Sequence, residues 1–146
     1  MTLSNIAVIL INGGTDTEYS RYDLTVLGSL AGGNRLVIGS PLIVAGLSVG
    51  VLSISAGTTF IQNGGSSPDG VMLFDTINGT VLDALSYEGE ITAAVVTAQT
   101  GTFGLVFGAA FTGLDPDDGS LIQVGNTGND SVDWSVASPP TPGSAP

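Results

Sequence analysis

The 146 residues are enough for one domain with a sizeable core, yet only 10% of them are charged, where about 25% is ordinary. Thirteen acids face two basic residues, Arg21 and Arg35, for a net charge of −11; this excludes nucleic-acid binding and adhesion to an anionic membrane, both of which need clustered cations. With no Cys, His or Lys there is no disulfide, thiolate chemistry, Schiff base or serine triad in its usual form.

Two uncharged stretches, 36–68 and 91–114, exceed the ~20 residues needed to cross a bilayer. Gly, Pro, Ser, Thr, Asn or Gln break both every few residues, which is strand-and-turn punctuation, so no membrane insertion is expected. Met1 to Gly14 lacks a basic n-region, and no signal peptide is visible.

In chain order the predicted strands are Ile6–Ile11, Asp23–Leu27, Arg35–Ile38, Val49–Ser55, Val71–Asp75, Thr80–Tyr87, Ile91–Val96, Phe103–Phe107, Ser120–Val124 and Val132–Val136. Short strands at 8–12-residue spacing predict an antiparallel sandwich or barrel. No apolar stripe of helical period occurs, so helix should amount to a single turn at most. Asn78-Gly79, between two β-branched runs, predicts a hairpin tip of type I′; Asn12-Gly13 and Asn63-Gly64 are further turns. Val71, Leu73, Leu85, Ile122 and Trp134 should contribute to the core or its rim. Residues 1–137 form the expected domain. Residues 138–146 hold four of the seven prolines and read as an extended tail, because Pro lacks the ladder donor. No internal repeat is present.

The remaining chemistry is carboxylate chemistry. Asp115, Asp117 and Asp118 precede Gly119 in a way that resembles the start of a calcium loop, but the distal acid at fixed spacing is missing, so a solvated turn is the expectation and calcium a weak alternative. Asp130 and Asp133 could add oxygens if the chain brings them close. Glu88 and Glu90, in the run SYEGE, could form a glycosidase pair, but Gly89 predicts a turn and the chain has one Trp and three Tyr to line a cleft. Asp83 falls, by alternation, on the same strand face as Val81, Leu85 and Tyr87, where a carboxylate must find hydrogen bonds or sit at an edge. Trp134 reads as a core or edge plug rather than a ligand platform.

The segments PDGVMLFDTINGTVLDALSYEGEITA (68–93), DGSLIQVG (118–125) and DSVDWSVASPPTPGSAP (130–146) resemble, in order and spacing, the C-terminal half of bacterial lamin-tail-like domains. VILINGGTDTEYSRYDLTVLGSLAGGNRLVIGSP (8–41) is similar to the family's earlier segment, and the match covers nearly the whole chain. The resemblance implies an immunoglobulin-like antiparallel β-sandwich, a non-catalytic module appended to secreted or surface proteins, and scaffold roles for Asp83, Tyr87, Trp134, Pro142 and Gly143. It implies no catalytic residue. One departure stands out: the family's opening strands have no counterpart before Ile6.

The leading functional expectation is therefore a non-catalytic accessory module, extracellular or at the cell surface, that makes protein or surface contacts and has no cofactor. A self-assembling subunit of a fibre or coat is the alternative, and a weak calcium- or glycan-binding module the second. The missing opening strands predict an unpaired sheet edge at Ile6, Val8 and Leu10, and a dimer, polymer or complex with a larger host protein formed there.

Overall fold

The computed structural model describes residues 1–57, 61, 62, 67–106, 109–112, 120–137 and 139. The Asn63-Gly64 turn, the acids Asp115, Asp117 and Asp118, and the tail other than Pro139 lie outside these residues. The described chain is all-β. Its elements are β1 (Ile6–Asn12), β2 (Thr17–Asp23), β3 (Leu36–Gly39), α1 (Pro41–Ala45), β4 (Leu52–Ser55), β5 (Asp69–Asp75), β6 (Thr80–Tyr87), β7 (Ser120–Gln123), α2 (Asp130–Asp133) and β8 (Trp134–Ala137).

A four-stranded antiparallel sheet, in the order β2-β1-β5-β6, forms the centre. Directly opposed residues of an antiparallel ladder share a face. One face thus carries Val8, Leu73 and Asp83, then Leu10, Val71 and Leu85, then Asn12, Asp69 and Tyr87. The other carries Ala7, Ile9, Met72, Phe74 and Ala84 and is covered by Ile91, Ala94, Val96 and Leu105, which makes the larger core. The β3–β4 pair packs on the first face around Leu3, Ile6 and Leu24. The β7–β8 pair packs on that face around Leu85, Tyr87 and Phe111.

This arrangement corrects the expected interaction edge. β1 is paired along both sides, to β2 and to β5, and Ile6 and Leu10 are buried while Val8 is half-buried. The run IAVILI is apolar at every position because both faces of the strand are covered, and its backbone groups are satisfied within the sheet. Ile6, Val8 and Leu10 therefore present no open edge. Among the described residues, the lateral strands of the sheet are β2 and β6.

Other differences have local causes. The segment expected as a strand at Asp23–Leu27 is a 3₁₀ turn over Thr25–Leu27, opened by the Asp23 carboxylate accepting from the Thr25 N–H at 2.8 Å; the strand lies just before it. Ile91–Val96 and Phe103 join only through isolated bridges, Ala94 to Phe103 among them, and serve as an apolar cover rather than a ladder. β3 and β4 are parallel, not antiparallel, because α1 carries the chain back between them; Ser40 accepts from the Ile43 N–H and Pro41 fills the first helical position. Among the described residues there are two short α-helices rather than one turn at most.

The hairpin at Asn78-Gly79 is present, with a longer loop than a two-residue type I′ turn. Asp75 holds it: its carboxylate accepts from the backbone of Ile77 and Asn78 and from the Asn78 side chain, and only Gly79 of the pair takes a positive φ, 65°. Further along, a bulge leaves Leu82 without a partner between Asp83, opposite Leu73, and Val81, opposite Phe74. Asp83, Leu85 and Tyr87 share a face as expected, but the extra residue turns Val81 to the opposite one, where it packs on the larger core.

Candidate functional site

The two small sheets cover the first face of the central sheet incompletely. A cavity of about 450 Å³ remains, floored by Val8, Val71, Leu73 and Leu85 and walled by Leu121 and Trp134. Its size falls within the range of small-ligand and peptide pockets. Asp83 is the acidic side chain on its lining. Asp83 sits at the bulge, exposed, and accepts from the Ala84 N–H at 2.9 Å. The bulge thus places a solvated carboxylate at the mouth of an apolar groove, which resolves how an acid shares a face with Leu85. Trp134 is half-buried and does two things: it packs against Leu85 and Tyr87 with Val136, and it lines the cavity.

One end of this face is polar. Gln62 is fixed there by three side chains: Asn12 Nδ2 donates to its Oε1 at 2.8 Å, its N–H donates to Tyr19 Oη at 2.9 Å, and Tyr87 Oη donates to its carbonyl at 2.8 Å. These bonds hold Ile61 against the groove. Beside them lies Asp69, opposite Tyr87 in the ladder and only 4% exposed. Burial raises its carboxyl above the ordinary range, and the charge of Glu88 adds to the rise.

Glu88 and Glu90 do not form a pair. Glu90 is exposed, whereas Glu88 is half-buried in a positive-φ conformation (62°), and its Oε2 is buried without a hydrogen-bond partner. The turn is fixed by Ser86 Oγ donating to the Gly89 carbonyl, with Gly89 lying against Pro68. Glu88 instead lies near enough for its charge to act on Asp69. Asp69 was not singled out from the sequence, although a signal existed: it precedes Val71 and Leu73 at two-residue spacing, on the same apolar face.

Asp130 and Asp133 are buried. The Asp133 carboxylate accepts from Thr127 N (2.7 Å), Thr127 Oγ1 (2.9 Å), Gly128 N (3.0 Å) and Asn129 N (3.1 Å). Burial works to raise its pKa, but these donors outweigh it and hold the group below the usual carboxylate range. Both of its oxygens are engaged by donors, an environment built for an anion. It serves the 127–129 loop, not a cation. Among the described residues, no group of three His, Cys, Asp or Glu side chains could hold a metal, and no helix is long and apolar enough to cross a membrane.

The chain matches no family model, no curated protein and no solved structure.

Proposed function

We propose that the chain is a non-catalytic interaction module of a secreted or surface bacterial protein, of the lamin-tail-like, immunoglobulin-like type, and that its groove takes an extended peptide segment of a partner protein. The observation that carries this reading is the apolar groove on the first sheet face, bounded by Trp134 and Tyr87, with Asp83 at its mouth. Its floor is aliphatic, so it favours apolar side chains, and aromatic walls are the usual anchors of peptide recognition. Asp83 and the net charge of −11 select a segment that also carries Lys or Arg and repel an acidic one. Asp75, Glu88 and Glu90 lie near the ends of the hairpin rather than in a cleft with a nucleophile, which supports binding rather than turnover. The self-assembly alternative loses its motive with the open edge at Ile6, Val8 and Leu10.

Trp134 is the only tryptophan, so its fluorescence reports on the groove. On an array of peptides with random sequence, the retained ones should be rich in apolar residues with Lys or Arg and poor in acids, and in solution they should shift the Trp134 emission. Leu85→Glu should abolish the shift, and Asp83→Asn should weaken binding chiefly at low salt. Retention of acidic peptides, or binding that survives Leu85→Glu in a folded variant, would overturn the proposal.

A further inference from the structure

The acid pair at the polar end of the first face is not explained by peptide binding. Asp69 is 4% exposed, and no hydrogen-bond donor among the described residues reaches its carboxylate. Glu88, between Tyr87, which is opposite Asp69, and Gly89, which lies against Pro68, has a buried Oε2 without a hydrogen-bond partner, and its charge acts on Asp69. The placement is built in from three strands. The β1–β5 ladder sets Asn12 opposite Asp69, the β5–β6 ladder sets Tyr87 opposite it on the other side, and the turn that follows folds Gly89 onto Pro68. Neither arginine serves the pair. Arg21 lies on the opposite sheet face, forked onto Glu18 at 2.8 Å, and Arg35 is exposed just before β3.

Two carboxylates set together with little access to water are costly unless one takes up a proton or a cation joins them. A hard divalent ion fits the chemistry on hand, which is oxygen throughout: the two carboxylates, the Asn12 side-chain oxygen and the Gln62 carbonyl that already accepts from Tyr87. We propose that Asp69 and Glu88 form the centre of a calcium site, completed by neutral protein oxygens and water. The site is distinct from the sequence candidate at Asp115, Asp117 and Asp118. With two carboxylates rather than three or four, it belongs to the weak class, with a Kd of about 10⁻⁴–10⁻³ M.

Two readouts test this on the full chain. Terbium bound at the pair lies beside Tyr87 and Tyr19, so exciting tyrosine should produce terbium emission that calcium displaces. Calcium should also raise the melting temperature, with half the effect in the Kd range above. Asp69→Asn and Glu88→Gln should each weaken both effects by roughly tenfold or more, since ligand charge count sets affinity in such sites. A variant with Asp115, Asp117 and Asp118 all changed to Asn should retain them. The wild-type protein alone can overturn the proposal, through no displaceable terbium emission and an unchanged melting temperature up to about 10 mM calcium, well above that class. So can calcium binding that survives Glu88→Gln and disappears in the triple variant. Asp69→Asn and Glu88→Gln are two independent removals, so a folding failure in one leaves the other decisive.

Discussion

Two buried aspartates show how the same side chain acquires opposite behaviour from its surroundings. Asp133 is ringed by N–H and O–H donors and is held as the anion, while Asp69 has burial and a like charge against it and is pushed toward the neutral form. Their linkage to stability has opposite sign. The folded pKa of Asp133 lies below the ordinary value near 3.8, so its stabilisation is complete above that value and is lost as pH falls through the depressed one. Asp133→Asn should therefore lower the thermal midpoint at pH 7 and reduce the difference between pH 7 and pH 3; melting curves of the two proteins across that range check it. An unchanged curve would mean that the 127–129 loop does not depend on the charge. The sequence marked Asp133 only as a possible metal ligand, because spacing shows acids but not the donors that a turn folds around them.

At the scale of elements, the central strands explain both what was legible and what was not. The hairpin joining β5 and β6 was readable from Asn78-Gly79 and the flanking β-branched residues, and seven of the ten expected strands, those at Ile6, Arg35, Val49, Val71, Thr80, Ser120 and Val132, reappear within a few residues. The lateral order of strands was not readable. Contiguous apolar residues in IAVILI mark a strand buried on both faces, and such a strand belongs at the centre of a sheet; reading it as a terminus left open assigned it the wrong neighbours. The bulge at Leu82 is similarly silent, since period-2 alternation continues on paper through an inserted residue. The groove depends on both, because the bulge sets Asp83 at its mouth and β1 and β5 provide its floor. Phe74 tests the opposite face. Its ring is fully buried and meets Phe103 edge to face at 5.2 Å between centroids. Phe74→Ala should cost about 3–5 kcal/mol, a large share of the ~5–15 kcal/mol available to a domain. Urea unfolding followed by Trp134 fluorescence measures it, and a loss below about 1 kcal/mol would mean that the 91–105 cover is not part of the cooperative core.

For the whole molecule, the dominant electrostatic fact is a charge of −11 on 146 residues with almost nothing to offset it. The salt bridge found among the described residues, Arg21 to Glu18 at 2.8 Å, joins neighbours on one strand and is partly exposed, a geometry that contributes little. Its further value is local: Arg21 also donates to the Thr97 carbonyl and Glu18 accepts from the Thr97 N–H, which pins the apolar cover to β2. Self-repulsion among the remaining acids opposes the compact state and is long-ranged. At ~10 mM salt the screening length is about 30 Å, wider than the spacing of most surface charges, and at ~150 mM it is about 8 Å. Screening therefore removes more repulsion than attraction. The melting temperature should rise steadily as sodium chloride increases over that range with calcium chelated, and most of the rise should occur before 150 mM. Chelation matters because a bound divalent ion at Asp69 and Glu88 would mask part of the effect. A flat or falling response would show that the acids are too dispersed for their mutual repulsion to weigh on folding, and would leave solubility as the main consequence of the charge.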